Sequence, residues 1–239
     1  MRLLTLSALN LAMIIISGAQ AAPLDNLAIW HETKHSIGRC ITQHNPGEAT
    51  QLETYCTCAL IARDAVITAQ HCLREDFDAA APGHKKVKIR LRLQGNEYGV
   101  IKIIARGEGA PGHRADWVTL RLTRPVPDGT PLPISMAPPN TGEQLAVVGF
   151  GSVDSDAPIA AKVRQLCKIL EIAAAQIVHS CLMLPGDSGA PLLARDPRTG
   201  WRIIGVNYAL GVQQPIKDLH ILKNFAIPSS PAMLTGLAP

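Results

Sequence analysis

The chain has 239 residues, of which 47% are hydrophobic, 18% are charged and 4% are aromatic, and its formal net charge is +4. This apolar fraction is ordinary for a folded protein and excludes a disordered chain. The weak positive charge and the few aromatic side chains argue against a nucleic-acid-binding protein, which needs a basic surface or a stacking platform. The length fits one large domain or two small ones.

The first 21 residues have the pattern of a signal peptide. Arg2 precedes an apolar stretch from Leu3 to Ile16, and Ala19-Gln20-Ala21 supplies the small residues of a cleavage site. The stretch is shorter than the ~20 residues that a membrane-spanning helix needs, so an uncleaved anchor is the weaker alternative. We expect cleavage near Ala21 and a mature protein that is secreted or periplasmic and not associated with a membrane.

Short apolar runs separated by turn residues predict an all-β protein. Residues 58–69 are predicted to form two strands joined by a turn at Arg63 and Asp64, and residues 87–93 alternate apolar and basic side chains, as in a half-buried strand. Residues 170–178 fit either a short helix or a strand. The other predicted strands are residues 100–104, 117–122, 144–148, 163–169 and 201–206.

A proline-rich segment at residues 125–140 divides the mature chain. It carries six of the 18 prolines, which cannot donate hydrogen bonds to a strand ladder. We therefore predict an irregular linker between two halves, residues 22–124 and 141–239. Each half contains enough short strands for a small barrel.

A serine between glycines indicates nucleophilic chemistry. Ser188 lies in Pro-Gly-Asp-Ser-Gly-Ala-Pro, where glycines permit a tight turn with converging N–H groups. Serine needs a base, and His71 follows an apolar strand; a base histidine needs an acid, and Asp116 precedes the strand at 117–122. The competing acids are Asp76, Asp78 and Asp128. The order His, Asp, Ser differs from that of α/β-hydrolase esterases.

Three motifs in this order resemble the chymotrypsin/trypsin-like serine proteases. They are TAQHC around His71, Ala-Asp before a strand at Asp116, and GDSGAP around Ser188, which are similar to the family's TAAHC, aspartate before a strand, and GDSGGP. Gly149-Phe150-Gly151 resembles the family's G-W-G. The resemblance extends from about Cys56 to Ala209. It implies two perpendicular six-stranded antiparallel β-barrels, forming one peptidase domain with the active site in the cleft between them.

The resemblance also implies a role for each site residue. Ser188 would be the nucleophile, His71 the general base and then acid, and Asp116 the residue that orients His71. The backbone N–H groups of Gly186 and Ser188 would form the oxyanion hole, with Asp187 supporting their loop. No cofactor or metal is implied, and we expect a monomer that acts on a protein or peptide substrate.

Export gives the six cysteines a structural meaning. An even number in an oxidising compartment predicts three disulfides. The resemblance implies a bond between Cys72 and Cys56, 16 residues earlier. The family usually has glycine where this chain has Cys58, and a hairpin from Cys40 would bring Cys40 opposite Cys58. This pairing leaves Cys167 with Cys181.

A metal site is the alternative interpretation of the same residues. Cys56, Cys58, His71 and Cys72 offer sulfur and nitrogen ligands of the kind that zinc prefers. However, adjacent residues in a strand point to opposite faces, which hinders joint binding by His71 and Cys72. Export also favours disulfides over free thiolates, so we expect no metal.

Two departures from the family pattern bear on function. Animal members are activated by a cut that exposes Ile-Val-Gly-Gly, whose amine pairs with the aspartate before the serine, but no such motif precedes Cys56. Asp187 must therefore have another partner. The missing motif also makes this chain more similar to bacterial secreted members. A catalytically silent trypsin-like binding module, or a form that needs processing, remains the alternative to an active secreted serine endopeptidase.

The second departure concerns the substrate pocket. Trypsin-like members that bind basic side chains have an aspartate six residues before the serine, where this chain has Leu182. Plain core packing is the alternative role for Leu182. Asn207-Tyr208-Ala209 resembles the S-W-G of the pocket wall, and Ala209 in place of glycine would narrow the pocket. The resemblance thus implies cleavage after small or medium apolar residues.

Overall fold

The structure is a computed structural model, and it describes residues 25–44, 49, 52–73, 87–108, 115–137, 145–152, 160–173, 176–196, 199–209, 214–216, 219–221 and 224–237. The predicted signal peptide, residues 1–21, lies outside the described residues. The described chain begins with helix α1 (Asn26–Thr33) and continues mostly as strands. None of the helices in these ranges is long and apolar enough to cross a membrane.

Six antiparallel strands close into a barrel in the N-terminal half. The strands are β1 (Ile37–His44), β2 (Leu52–Ala62), β3 (Ala65–Thr68), β4 (Val87–Leu93), β5 (Asn96–Arg106) and β6 (Val118–Leu122). Their order around the barrel is β1, β2, β3, β6, β5, β4. The predicted turn at Arg63 and Asp64 joins β2 to β3.

The side chains of strand β4 alternate between the interior of the barrel and the solvent. Leu91 and Leu93 are buried inside, whereas Arg90 and Arg92 face outward and pair with Glu97 on β5. The alternation of apolar and basic residues thus matches the two-residue period of a strand that has one buried and one solvent-exposed face. The predicted half-buried strand is confirmed.

The proline-rich segment runs from the barrel to the second half. Residues 125–137 are irregular apart from one bridge, which pairs Ile134 with Ile203. The Leu132 N–H donates to Leu60 O at 2.9 Å, and Val126 and Leu132 are buried. These contacts hold the segment against both halves.

Seven strands form the sheet of the C-terminal half. They are β7 (Leu145–Gly149), β8 (Lys162–Cys167), β9 (Ile169–Ala173), β10 (Gln176–His179), β11 (Pro191–Asp196), β12 (Gly200–Ala209) and, after a separate hairpin of β13 (Gln214–Ile216) with β14 (Leu219–Ile221), β15 (Asn224–Pro228). The order is β8, β7, β11, β12, β15, β10, β9. All neighbours that pair within this sheet are antiparallel.

The two edge strands of this sheet are consecutive in the chain. Only Lys168 separates β8 from β9, and the backbone N–H of Ser180 donates to Lys168 O at 3.0 Å. Lys168 thus links the two edges of a seven-stranded sheet, where the family resemblance implies a second six-stranded barrel. Residues 170–173 and 176–178 lie in strands and not in a helix, because β9 and β10 pair with each other.

Buried side chains form three clusters. One fills the N-terminal barrel and includes Cys40, Cys56, Cys58 and Cys72, and another fills the C-terminal sheet. The third joins the halves and contains residues of both. The disulfides of the structure join the predicted pairs, Cys40 with Cys58, Cys56 with Cys72, and Cys167 with Cys181. In the register of β1 and β2, however, Cys40 lies opposite Cys56 and not opposite Cys58.

Candidate active site

Two strand ends bring His71 and Asp116 together. His71 lies in a 3-10 turn, Gln70–Leu73, that follows β3, and Asp116 lies just before β6. Because β3 and β6 are antiparallel neighbours with Thr68 opposite Val118, the end of β3 lies beside the start of β6. Sheet pairing therefore closes a separation of 45 residues along the chain.

Asp116 holds both the backbone and the ring of His71. Its Oδ1 accepts a hydrogen bond from the His71 backbone N–H at 2.8 Å, and its Oδ2 lies 2.6 Å from the ring Nδ1. Asp116 is fully buried, whereas 31% of the His71 side chain is exposed. A carboxylate only accepts hydrogen bonds, so we assign the proton to Nδ1, which leaves the Nε2 lone pair available as a base.

The competing acids do not reach His71 in the described part of the chain. Asp128 is exposed and lines a separate surface depression with His35. Asp76 and Asp78 lie outside the described residues. The acid that the structure places against His71 is Asp116.

Gly107 packs against the residues on either side of Asp116. Its N–H donates to Trp117 O at 2.9 Å. A Cβ atom at this position would lie 1.8 Å from the backbone oxygen of Ala115. The close approach requires glycine, but one glycine after a strand belongs to no motif, so the sequence gives no signal for this residue.

Ser188 lies in a turn whose two glycines adopt left-handed backbone conformations. The angle φ is +95° at Gly186 and +81° at Gly189. A Cβ atom on Gly189 would lie 2.0 Å from Thr68 Oγ1 and 2.3 Å from Thr57 O. Glycine therefore lets the chain turn sharply against the N-terminal barrel, and Ser188 is half-buried there.

The serine lies next to the turn that carries His71. Ser188 O accepts a hydrogen bond from the Thr57 N–H at 2.9 Å, and Cys72 Sγ lies 3.8 Å from the same oxygen. Cys72 follows His71 in the chain and is bonded to Cys56 on β2. This disulfide holds the turn with His71 beside the segment with Ser188.

The orientation of the Gly186 and Ser188 N–H groups is fixed by hydrogen bonds to the carbonyl at the other end of each peptide unit. The carbonyl before Gly186 accepts from the Ser152 N–H at 3.0 Å, and the carbonyl before Ser188 accepts from the Ala190 N–H at 2.9 Å. A trans peptide points its N–H away from its C=O. Within the described part of the chain, the Gly186 and Ser188 N–H groups have no protein acceptor, as an oxyanion hole requires.

The Asp187 carboxylate is paired with an arginine and with two backbone N–H groups, in place of a chain-terminal amine. Its Oδ1 accepts from the Gly151 N–H and its Oδ2 from the Leu184 N–H, both at 2.8 Å, and Arg164 Nη1 lies 2.9 Å from Oδ2. Burial raises the pKa of the Asp187 carboxyl, and the Arg164 guanidinium and the two N–H groups oppose this shift. A lone arginine in a strand belongs to no motif, so the sequence gives no signal for Arg164.

Asn207, predicted as part of the pocket wall, is fully buried behind the serine turn. Its Nδ2 donates to Ala190 O at 2.8 Å, and its own O accepts from the Gly189 N–H at 2.7 Å. Its Oδ1 lies 2.7 Å from Nε2 of the buried His179, which must donate because the amide nitrogen faces Ala190. Burial lowers the pKa of His179 to about 4, so this histidine is neutral at pH 7.

The other predicted pocket residues differ in exposure. Leu182 is 46% exposed, which argues against the core-packing alternative. Tyr208 is half-buried, with its ring centroid 6.4 Å from that of Phe225. The backbone of Ala209 pairs with Phe225, and its side chain lies outside the described residues. Phe225, which sequence reasoning missed, thus lies beside two of the predicted wall residues.

The metal alternative depends on sulfur atoms that are bonded elsewhere. Ligand atoms of Cys56, His71 and Cys72 lie within 4.8 Å of one another. The two sulfurs form a disulfide, and Cys58 is bonded to Cys40. None of the four cysteines therefore offers a thiolate to a metal ion.

Solved structures of bacterial proteases have a similar fold. The active form of the Rv3671c protease from M. tuberculosis aligns with a TM-score of 0.61 at 15% identity, over 90% of this chain and 86% of the other. A serine endoprotease from Yersinia pestis aligns with a TM-score of 0.59 at 14% identity, over 87% of this chain and 63% of the other. At such identities the likeness shows the fold.

Sequence comparison identifies the family. A search of curated proteins finds no match. The family model of the trypsin-like peptidase domain matches residues 56–206, a segment that contains His71, Asp116 and Ser188. The match covers more than half of the chain, and the chain belongs to the family of trypsin-like peptidases.

Proposed function

We propose that the protein is a serine endopeptidase in which Ser188, His71 and Asp116 form the catalytic triad. The observation that carries the proposal is the pair of Asp116 with His71 at 2.6 Å, held beside the turn of Ser188. Asp116 fixes the tautomer in which the free nitrogen of His71 can take a proton. The family of the chain supplies the reaction class, hydrolysis of peptide bonds.

Each step of the reaction then has a residue. Ser188 Oγ attacks the scissile carbonyl carbon while His71 Nε2 takes the hydroxyl proton. The oxyanion of the tetrahedral intermediate accepts hydrogen bonds from the Gly186 and Ser188 N–H groups. His71 returns the proton to the leaving amine, which gives the acyl-enzyme. Water, deprotonated by His71, then attacks the ester, releases the acid and restores Ser188.

We propose further that activity does not require a cut that exposes a new amine. The Arg164 guanidinium supplies a positive charge to Asp187 from within the chain. This contact supports an active form over one that needs processing. The N–H groups of Gly186 and Ser188, which have no acceptor among the described residues, support it over a silent binding module.

Location and specificity belong to the same proposal. Three disulfides are compatible with export to an oxidising compartment, in line with a signal peptide at residues 1–21 and a secreted or periplasmic mature protein. Leu182 in place of an aspartate supports cleavage after small or medium apolar residues over cleavage after Arg or Lys.

Hydrolysis of casein, with its cleavage sites mapped by mass spectrometry, tests the reaction and the specificity together. Ser188→Ala should lower the rate by about 10⁴-fold or more, since the remaining groups cannot form the acyl-enzyme. Its thermal unfolding should match that of the wild type. The mapped sites should follow residues such as Ala, Val or Leu.

Ser135→Ala is the matched control. The Ser135 hydroxyl donates to Ala137 O at 3.1 Å, in the segment that joins the two halves. This variant should cleave casein at the rate of the wild type. Cleavage by Ser188→Ala at that rate would refute the nucleophile, and cleavage confined to Arg and Lys sites would refute the specificity.

A further inference from the structure

The serine turn is held at four successive carbonyl groups. Those of residues 185, 186, 187 and 188 accept hydrogen bonds from Ser152 N, Thr57 Oγ1, Ala190 N and Thr57 N, respectively, at 2.9–3.0 Å. Each bond fixes the plane of one peptide unit. Two of the four come from Thr57, which lies on β2 in the other half of the molecule.

The hydroxyl of Thr57 uses its proton and a lone pair at once. It donates to Gly186 O at 2.9 Å and accepts from the Phe150 N–H at 3.0 Å. Phe150 precedes Gly151, whose N–H binds the Asp187 carboxylate. The hydroxyl therefore ties together the loop that supports Asp187 and the turn that carries Ser188.

The rest of Thr57 is equally fixed. Its side chain and backbone are fully buried, its N–H donates to Ser188 O, and its carbonyl accepts from the Thr68 hydroxyl at 2.7 Å. The hydroxyl is therefore presented from a rigid strand and not from a mobile loop, which is the arrangement that holds a site within the tolerance of catalysis.

The peptide unit that this hydroxyl holds lies between the two units that supply the oxyanion donors. Gly186, with φ at +95°, has little steric resistance to rotation of the adjoining planes. The plane between Gly186 and Asp187 is therefore set by its hydrogen bonds: its carbonyl accepts from the Thr57 hydroxyl, and its N–H donates to Leu184 O at 2.9 Å. If it rotated, the N–H groups of Gly186 and Ser188 would no longer converge.

We propose that Thr57 is a positioning residue for the oxyanion hole, acting through the hydrogen bond from its hydroxyl to the Gly186 carbonyl. The inference rests on the proposed function and adds a residue that contacts neither substrate nor reacting atoms. It assigns the shape of the oxyanion hole partly to the N-terminal barrel, although both donors belong to the C-terminal half.

The test compares Thr57→Val, which keeps the shape of the side chain, with Thr57→Ser, which keeps the hydroxyl. The probes are a fluorophosphonate, for the second-order rate constant of adduct formation, and succinyl-Ala-Ala-Ala-p-nitroanilide, for kcat and KM. Thr57→Val should react with the fluorophosphonate about 10- to 100-fold more slowly and show a similar fall in kcat, with KM nearly unchanged. Thr57→Ser should remain close to the wild type.

Thr119→Val is the matched control. Thr119 is also a buried strand threonine, and its hydroxyl donates to a backbone carbonyl, that of Met233, at 2.8 Å. This variant should be less stable than the wild type, because it removes a buried hydroxyl that donates a hydrogen bond, but it should keep the wild-type rate constants. Loss of rate at Thr57 alone would then reflect position and not a general weakening of the fold.

Three results would overturn the inference. They are a Thr57→Val variant as reactive as the wild type, a Thr57→Ser variant as slow as Thr57→Val, and a rise in KM in place of a fall in kcat. If Thr57→Val does not fold, Thr57→Ala against Thr57→Ser decides in the same way. A wild type that ignores the fluorophosphonate would refute the proposed function, and with it the inference, whereas a reactive wild type isolates Thr57.

Discussion

The Asp187 carboxylate lies so close to Gly149 and Gly151 that neither position has space for a side chain. A Cβ atom on Gly149 would lie 2.3 Å from Asp187 Oδ1, and one on Gly151 would lie 2.5 Å from its carboxyl carbon. The Gly-Phe-Gly motif is therefore explained by the packing of a buried carboxylate. Backbone conformation does not explain it, since neither glycine has a positive φ.

His179 gives the stability of the protein a dependence on pH. Above pH 6.5 the histidine is neutral in the folded and the unfolded chain, and below that value the unfolded chain binds the proton first, because burial lowers the folded pKa to about 4. Between pH 7 and pH 4 the free energy of unfolding should fall by about 3 kcal/mol from this group alone. Urea unfolding at both pH values measures the fall.

His179→Gln isolates this contribution, because glutamine can still donate to Asn207 Oδ1 but does not titrate. Its stability should depend less on pH by about the same 3 kcal/mol. His31→Gln, at an exposed position of α1, should keep the wild-type dependence. If the free energy of unfolding depended equally on pH in the wild type and in His179→Gln, the buried His179 would not be the cause of that dependence.

At the scale of elements, strand β8 supplies the charge that the serine turn needs. Arg164 is mostly buried, with 9% of its side chain exposed, and Asp187 is fully buried. A buried pair that loses one partner leaves an uncompensated charge. Arg164→Met should therefore lower the free energy of unfolding at pH 7 by roughly 3 kcal/mol and also lower the rate of hydrolysis.

The sign of the pH effect follows from the Asp187 pKa. Burial raises that pKa and Arg164 opposes the rise, so removal of Arg164 raises it further. The stability lost in Arg164→Met should then be larger at higher pH, where more of the carboxyl is ionised, and should shrink as the pH falls. Arg195→Met is the control, since Arg195 pairs with Glu32 at 3.5 Å on the surface, where such pairs contribute ~1 kcal/mol or less. A loss that does not change with pH would contradict the role of Arg164.

Local patterns predicted most elements, but not how the elements pair into a closed barrel and a second sheet. The alternation in β4 and the turn at Arg63 and Asp64 are short-range signals, and both are confirmed. Residues 170–178 were ambiguous because short apolar runs fit both periods. The order of the strands in the C-terminal sheet depends on which strands pair over long range, and that information is absent from a local pattern.

The candidate site divides in the same way. His71, Asp116 and Ser188 each lie in a short sequence motif that can be recognised locally. The structure places the first two within hydrogen-bonding distance of each other. Thr57, Arg164 and His179 act through contacts between distant elements, and each is an isolated residue in its own strand. Composition and spacing therefore carry no signal for them.

At the scale of the whole molecule, the site depends on how the two halves meet. The buried cluster between them joins side chains from both, among them Ile37 and Ala59 with Val148 and Leu193. His71 and Asp116 lie in the first half and Ser188 in the second, and Thr57 bonds directly to the serine turn. The fold thus positions the three residues of the proposed triad through one shared core.

Intact-mass analysis after exposure to a fluorophosphonate tests this arrangement most directly, because the reagent bonds only to a serine that is both activated and next to a formed oxyanion hole. The mature wild type, without any added processing enzyme, should gain the mass of a single adduct, and Ser188→Ala should gain none. An unmodified wild type, or an adduct that persists in Ser188→Ala, would contradict the assignment of Ser188, His71 and Asp116 as a working triad.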